Sequence, residues 1–180
     1  MADLRFMRTE KLIKIAFLEL LKITPYDQIS VAELAKQSLI DRSTFYAHYE
    51  NIFELANALV DYEINQFIAA FSESKRQRWN KDFDNYTFFS DELTNYILNN
   101  RQKITLISNL PLGLKSFYHR LRKLLTTTYC STTGLDPSDF SIYLLTNLGI
   151  SDFEFILQNQ RVPTKKELQL GLKKIAYFLQ

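Results

Sequence analysis

The chain has 180 residues, with 22 Lys and Arg against 20 Asp and Glu, so its formal net charge is only +2. A single cysteine, Cys130, excludes an intramolecular disulfide framework and a cysteine-cluster zinc site. Two histidines, His48 and His119, are too few to favour a histidine-based site, so we predict no metal and no cofactor. No run of 18 apolar residues is present, and the N-terminus is charged where a signal peptide is apolar. We therefore expect a soluble cytoplasmic protein that engages no membrane.

Glycine and proline are scarce in this chain, at four residues each, far below average usage. Their scarcity argues against glycine-rich phosphate loops and turn-rich β folds, and it favours long uninterrupted helices. Apolar residues follow helical spacing almost throughout, and no strand pattern or internal repeat stands out. We therefore predict an all-α protein of roughly nine helices.

The N-terminal part of the chain predicts three helices. Helical spacing of apolar residues predicts the first over 10–22. The second is predicted over 31–37, because Ser30 and Glu33 have the spacing of a capping box, in which each side chain bonds the backbone N–H of the other. The third is predicted over 41–49, where the leading aspartate is a good N-cap.

The middle of the chain predicts longer helices. One is expected to open at Asn51, and the polar stretch 72–84 is interpreted as its end plus a connection. Apolar residues at helical spacing predict two more helices, over 85–99 and 114–129.

Two further helices are predicted at the C-terminal end. The first is expected over 136–159, with Asp136 as N-cap and Pro137 at the first helical position. Thr164 and Glu167 have the spacing of another capping box, which predicts a last helix to the C-terminus.

The second and third helices are joined by about four residues, which is the turn length of a helix-turn-helix motif. The second helix of such a motif enters the DNA major groove. Six apolar positions suit a small core behind it: Ala32, Leu34, Ala35, Leu39, Ile40 and Phe45. The face left over on the third helix is polar or small: Arg42, Ser43, Thr44, Tyr46, Ala47 and His48.

The residues of that face have the chemistry needed to bind DNA. Arg42 can form a bidentate pair with guanine O6 and N7. Hydroxyl groups can donate to phosphate oxygens or accept from bases. Structural alternatives stay open, with Tyr46 and Tyr49 as core aromatics and with Arg42 and His48 as solvated surface residues.

A longer pattern within residues 9–56 joins these positions: Ser30-Val31-x-x-Leu34-Ala35, then Ser43-Thr44-Phe45-Tyr46-Ala47-His48-Tyr49-x-Asn51, and Leu55. It resembles the N-terminal signature of the TetR-type transcriptional regulators. Members of that family are all-α homodimers with an N-terminal three-helix DNA-binding domain and a larger helical domain that binds a small ligand and dimerises. The resemblance therefore implies a helix-turn-helix DNA-binding domain over 1–50 and an effector-binding and dimerisation domain over 51–180.

The resemblance also implies which residues contact DNA: Ser30, Arg42, Ser43, Thr44, Tyr46 and His48. In this set Ser30 would contact a phosphate ahead of the second helix, and Arg42 and Ser43 would read bases. The other three would contact phosphates or bases. Arg5 and Arg8 would form a flexible basic arm near the DNA backbone.

The implied function is a ligand-responsive DNA-binding transcriptional regulator. It would be a homodimeric repressor of a palindromic double-stranded operator, released or re-oriented by an unknown small effector. Gln37-Ser38 stands where the family has a small Ala-Gly pair, and Ile52 stands where it has a phosphate-gripping Lys. Residues 1–50 hold seven basic and seven acidic residues, so binding would release few counterions. The alternative is a regulator-like protein with weak or no DNA binding that acts through a protein partner, as a coactivator.

The C-terminal part suggests where an effector and a second protomer would bind. Aromatic residues there could line a cavity between helices, and the candidates are Phe88, Phe89, Tyr96, Phe117, Tyr118 and Tyr143. The last two helices carry more apolar residues than burial within one chain requires. The TetR-type family pairs its last two long helices across the dimer. The candidate dimer residues are Leu144, Leu148, Leu168, Leu172 and Ile175.

Two further features of the sequence bear on function. The stretch 101–123 is basic and contains no acidic residue. It is either a solvated face or a wall for an anionic effector or an acidic partner. No nucleophile–base pair, metal-ligand cluster or phosphate loop supports an enzyme, so we expect no catalytic residues.

Overall fold

The computed structural model describes residues 4–77 and 89–178. These ranges contain nine α-helices and no strand, which confirms the predicted all-α class. The helices are α1 (Leu4–Leu20), α2 (Val31–Gln37), α3 (Arg42–Tyr46), α4 (Ile52–Gln77), α5 (Asp91–Asn99), α6 (Arg101–Ser108), α7 (Phe117–Thr133), α8 (Phe140–Asn159) and α9 (Lys165–Phe178).

The three N-terminal helices share one small apolar core. Ile13 and Phe17 of α1, Leu34 of α2 and Phe45 of α3 are fully buried. α1 contacts α2, and α2 contacts α3. Burial of each large side chain contributes about 1.5–3 kcal/mol, so these residues hold the short helices in place although α2 and α3 are too short to persist alone.

The start of α2 is fixed by the predicted capping box, which the structure confirms. The Glu33 N–H donates to Ser30 Oγ at 3.2 Å, and the Ser30 N–H donates to Glu33 Oε2 at 3.0 Å. These bonds satisfy two backbone donors near the helix start that would otherwise lack partners. The side-chain hydrogen bond from Ser30 lowers the pKa of the Glu33 carboxyl, so the ionised form that makes the box persists to a lower pH than in an unpaired glutamate.

The turn between α2 and α3 closes as a Schellman motif. The Leu39 N–H donates to Lys36 O at 3.3 Å, and the Ile40 N–H donates to Ala35 O at 3.0 Å. Leu39 takes the left-handed position of this motif, with φ at 56°, where glycine is usual. Its side chain is 92% exposed, so the predicted core role of Leu39 is wrong, because the left-handed backbone directs it to solvent. The backbone that needs a glycine is therefore at Leu39 and not at Gln37-Ser38.

We expect Leu39→Gly to stabilise the protein by about 0.5–1 kcal/mol, because relief of left-handed strain (about 1–2 kcal/mol) exceeds the added chain entropy of glycine (about 0.5–1 kcal/mol). Leu39→Ala is the matched control, since it removes the same exposed side chain and keeps the strained backbone. Urea unfolding followed by circular dichroism measures both variants. A midpoint for Leu39→Gly at or below that of Leu39→Ala would show that the strain is absent.

The middle helices follow the prediction with shifted bounds. α4 opens as expected, with the Glu54 N–H donating to Asn51 Oδ1 at 2.9 Å. It continues to Gln77, and the remainder of the predicted connection lies outside the described residues. α5 begins after the N-cap Ser90. The sequence did not single out α6 as a separate helix.

The start of α8 differs from the prediction. Asp136 Oδ1 accepts the Ser138 N–H at 2.9 Å, which closes an Asx turn ahead of the helix. The N-cap is Asp139, whose Oδ1 accepts the Ser141 N–H at 2.8 Å. The helix ends at Asn159, as predicted.

The predicted capping box of α9 is confirmed. The Glu167 N–H donates to Thr164 Oγ1 at 3.2 Å, and the Thr164 N–H donates to Glu167 Oε2 at 2.8 Å. Arg161 adds two bonds to the same carboxylate, at 2.8 and 2.7 Å. The hydrogen bond from Arg161 is the largest cause that lowers the pKa of Glu167, to about 2.

The chain divides into two compact units. The first comprises Met1–Ile64 and Gln102–His119, and the second comprises Asn65–Arg101 and Arg120–Gln180. α4 and α7 each contribute to both units. The boundary predicted near residue 50 differs from this division by packing, and it remains a prediction.

Each unit has its own buried contacts. In the first, Lys103 Nζ lies 2.6 Å from Oε1 of the fully buried Glu63, which ties α6 to α4. In the second, the Phe67 ring makes edge contacts with the rings of Tyr96 and Phe153, which joins α4, α5 and α8.

Among the described helices, α8 alone is long and apolar enough to cross a bilayer, with a window of mean hydropathy 1.3. The same property belongs to a core helix of a soluble protein, and 39% of that window is buried within the protein. The length and composition of α8 are therefore weak evidence for a membrane span.

Candidate nucleic-acid interface

α3 presents polar side chains outward from a buried anchor. Phe45 is fully buried and fixes the helix on its core. Arg42 and Ser43 are exposed, Tyr46 is 57% exposed, and Thr44 is half-buried. The α3 residues predicted to contact DNA therefore lie on an accessible surface next to a rigid core.

Arg42 and Tyr46 keep their polar groups available. Neither side chain makes a hydrogen bond or ion pair with another residue in the described part of the chain. The Tyr46 ring packs edge-on against Phe45, with ring centroids 5.6 Å apart, and this contact orients the phenol. The Arg42 guanidinium offers five N–H donors in a planar fork, which suits two acceptors on one guanine edge.

Ser30 has less capacity for DNA than the resemblance implies. Its Oγ donates to Glu33 Oε2 at 2.7 Å and accepts from the Glu33 N–H. The hydroxyl proton is therefore engaged inside the protein, and a phosphate contact by Oγ requires that bond to break. The Ser30 phosphate contact remains a prediction.

His48 follows α3 and stacks on an aromatic ring of α1. We call residues 42–49 the α3 segment. The ring centroid of His48 is 3.8 Å from that of Phe6. Nδ1 is buried and has no hydrogen-bond partner in the described chain. Burial is the main cause that lowers the pKa of His48, and the charge of Glu10 opposes it. His48 is therefore neutral at pH 7, and any phosphate contact would be a neutral hydrogen bond.

Tyr49 joins the same end of the α3 segment to α1. Its hydroxyl donates to Glu10 Oε1 at 3.2 Å, and Lys14 Nζ lies 2.7 Å from that oxygen. Burial raises the pKa of Tyr49 well above its usual value, so the phenol stays protonated. Tyr49 therefore acts as a structural tie, as the core alternative suggested.

Arg5 and Arg8 do not form a flexible arm, and that expectation is corrected. Both lie in the first turns of α1, which begins at Leu4. The helix extends this far because Phe6 finds a stacking partner in His48, and the Thr9 hydroxyl donates to Arg5 O at 3.1 Å. Both arginines are exposed, so they remain charges on a fixed helical surface.

Lys115 brings a cation to the start of α4, a contact that local sequence patterns could not reveal. Its Nζ lies 5.1 Å from the ring centroid of Phe53 and 3.7 Å from Glu54 Oε1. Ile52 is the first residue of the same helix turn. Lys115 therefore places a cation beside this turn from a segment about sixty residues away in the sequence.

An acidic groove lies beside the α3 segment. Its volume is 520 Å³, and it is lined by His48, Tyr49, Glu50, Glu54, Asn57, Ala58 and Asp61. Three of these residues are carboxylates, which repel phosphate. This side of the first unit is therefore less favourable for a phosphate backbone than the outward face of α3.

The basic stretch 101–123 is partly engaged by partners within its own units. Lys103 pairs with Glu63, the Arg101 guanidinium donates to Leu157 O at 2.5 Å, and Arg122 donates to Asn147 Oδ1 at 3.0 Å. These contacts favour a structural role for at least part of the stretch over a continuous anion-binding wall.

The predicted ligand-cavity residues are divided between the two units. Phe117 and Tyr118 belong to the first unit, whereas Phe89, Tyr96 and Tyr143 belong to the second. Phe89 and Phe117 are buried, and Tyr143 is 56% exposed. Phe88 lies outside the described residues, and the cavity role of all six remains a prediction.

The predicted dimer residues are accessible on the second unit. Leu144, Leu172 and Ile175 are about half exposed, and Leu148 and Leu168 are partly exposed. No described side chain of α9 is buried. The rest of the described chain therefore does not fully cover the apolar stripe on α9.

No protein-family model matches this chain. No curated protein matches it either. Among solved structures, the crystal structure of a gamma-butyrolactone receptor, an ArpA-like protein, shares the arrangement with a TM-score of 0.53. The match covers 93% of this chain and 94% of that chain at 12% identity. At this identity the likeness shows a common all-α fold.

Proposed function

We propose that this protein is a ligand-responsive, DNA-binding transcriptional regulator that acts in the cytoplasm as a homodimeric repressor. The observation that carries the proposal is the α2–turn–α3 unit, which holds Arg42, Ser43 and Tyr46 outward with no side-chain hydrogen bond or ion pair to another described residue. A small effector would release or re-orient the protein on a palindromic operator. No catalytic residue, metal or cofactor takes part.

The mechanism would be a shift between two conformations. The two α3 helices of a dimer fit successive major grooves when they are about 34 Å apart. An effector that binds better to a conformation with another spacing lowers operator affinity in proportion to that difference. The gamma-butyrolactone receptor with a similar fold supports a small molecule as the class of effector.

Binding to the chain's own promoter region tests the proposal. Fluorescence anisotropy with a promoter duplex and a scrambled duplex, at several salt concentrations, separates specific from non-specific affinity. We expect the promoter duplex to bind at least about a thousandfold more tightly than the scrambled duplex. Equal affinity for both duplexes would overturn a specific regulator.

We expect Lys115→Gln to weaken binding to all duplexes alike and to reduce the slope of log affinity against log salt by about 1, because a phosphate contact releases one counterion and reads no base. Lys22→Gln is the matched control, since Lys22 pairs with Glu19 at the exposed end of α1 and loses the same charge. A slope that changes equally in both variants would exclude a phosphate contact by Lys115.

A second function is favoured by the acidic groove and by the balanced charge of residues 1–50. A regulator-like protein of this kind would bind DNA weakly and act through a protein partner, as a coactivator. The same anisotropy series discriminates the two functions. A steep salt dependence with promoter preference supports the repressor, and no measurable DNA binding at low salt supports the coactivator.

A further inference from the structure

A buried carboxylate without a partner lies in the second unit. Asp152 on α8 is only 6% exposed, and its Oδ1 has no hydrogen-bond partner in the described chain. Buried carboxylates are almost always paired or hydrogen-bonded, because an isolated charge in a protein interior is strongly disfavoured. If stability alone determined this position, an apolar residue or an amide would be preferred to a carboxylate.

The side of α8 that carries Asp152 also holds a second polar group. At Gly149, one turn earlier, an added Cβ would lie 2.7 Å from the Tyr129 hydroxyl oxygen and 3.2 Å from Leu125 Cδ1. The glycine therefore allows the phenol of α7 to reach the backbone of α8. Residues three apart on a helix lie on the same side, about 4.5 Å apart along the axis. Tyr129 and Asp152 thus bring a hydroxyl and a carboxylate to one side of α8.

Thr146, nearly two turns before Asp152 on α8, is hydrogen-bonded to Thr126 at 3.2 Å, and the neighbouring large side chains are apolar. Phe153, the next residue on α8, is fully buried and packs edge-on against Phe67, with ring centroids 5.7 Å apart. Burial raises the pKa of Asp152 to about 6, so the carboxyl is mostly ionised at pH 7.5. A neutral ligand would leave this charge uncompensated, whereas a cation would neutralise it.

We propose that Asp152 anchors a binding site for a small organic cation, in which an ammonium group donates to Oδ1 within the second unit. The inference assigns a chemical class to the effector of the proposed regulator, and it rests on that function for its biological role. Tyr129 supplies a directional polar contact on the same side of α8. Selection would be for positive charge, because a neutral or anionic ligand of the same shape gains nothing from the carboxylate.

Thermal shift of the full-length protein at pH 7.5 tests the site with three amines and their neutral analogues. The probes are methylamine with methanol, benzylamine with benzyl alcohol, and tryptamine with tryptophol. We expect at least one amine to raise Tm more than its alcohol, and isothermal titration of that amine to show binding weakened about ten- to a hundredfold in Asp152→Asn. Glu154→Gln, which removes a half-exposed carboxylate from the same helix, should bind as the parent does.

Three results would overturn the site: no amine exceeds its alcohol, Asp152→Asn binds amines as the parent does, or Glu154→Gln weakens binding equally. Asp152→Asn removes a buried charge, so it should fold with a Tm at pH 7.5 no lower than the parent. If this variant fails to fold, the carboxyl carbon resonance of Asp152 is followed in the parent protein while the amine is added. A resonance that does not move overturns the site. These assays contain no DNA. Their outcome therefore still decides whether the cation site exists if the proposed operator binding is disproved.

Discussion

Replacing Arg42 by alanine is expected to weaken operator binding by about 1–3 kcal/mol per half-site and to relax base preference at one position. Arg42 opens α3, is exposed, and has no intramolecular partner in the described chain. Its guanidinium therefore loses no protein contact when it binds a guanine edge. Phe45, buried three residues later, holds the helix so that the side chain starts from a fixed position.

Competition anisotropy measures this effect when each of the four bases is placed at every guanine of the half-site. Tyr46→Phe is the companion variant, because a phenol on a phosphate carries no sequence information. It should lower affinity for every duplex alike and leave the order of preference unchanged. If Arg42→Ala retains the parent's preference at every position, Arg42 does not read a base.

Helix starts were predictable where the signal was local. The boxes at Ser30 and Thr164 use side chains three residues apart, so the sequence alone specifies both bonds of each box. The predicted start of α8 is wrong because it depends on the same kind of local signal. Asp136 is a residue type that suits an N-cap, but its carboxylate accepts the Ser138 N–H, and Asp139 caps the helix instead.

The features that sequence patterns missed depend on contacts between distant residues. The N-terminal extension of α1 depends on the stack of Phe6 on His48. Lys115 reaches the first turn of α4 only because the chain returns there. The burial of Asp152 without a partner cannot be read from its neighbours, since an aspartate in an apolar helix usually faces water. The apolar side chain of Leu39 predicts a core position, but the turn needs a left-handed residue there, and this backbone exposes the side chain.

The second large effect is expected from a substitution at the dimer contact, because α9 carries an apolar side that the rest of the described chain does not cover. A helix of 14 residues is marginal in water unless tertiary packing covers one side. None of its described side chains is buried, yet Leu168, Leu172 and Ile175 recur at helical spacing along one side. The outward residues of α8 add Leu144, which is 51% exposed. A second copy of this chain, related by a two-fold axis, would cover both helices at once.

We expect Leu172→Glu to split the dimer and abolish operator binding while helicity is largely kept. Each copy would lose about 2 kcal/mol of apolar burial, and the change counts twice in a two-fold contact, so the dimer constant should fall at least about a thousandfold. Leu170→Glu is the matched control. Leu170 is 46% exposed against 44% for Leu172, but it lies about 200° away around the helix.

Sedimentation velocity across a micromolar concentration range measures both variants, with circular dichroism as the check on folding. Leu170→Glu should sediment as the parent dimer and retain operator affinity, because its side of α9 faces away from the stripe. Dissociation of neither variant would place the contact away from α9. Equal dissociation of both would exclude a contact confined to the stripe, since a single charge on either side of one helix cannot disrupt the same two-fold stripe equally. A parent protein that is monomeric at these concentrations, or a dimer that survives removal of residues 136–180, would exclude this interface.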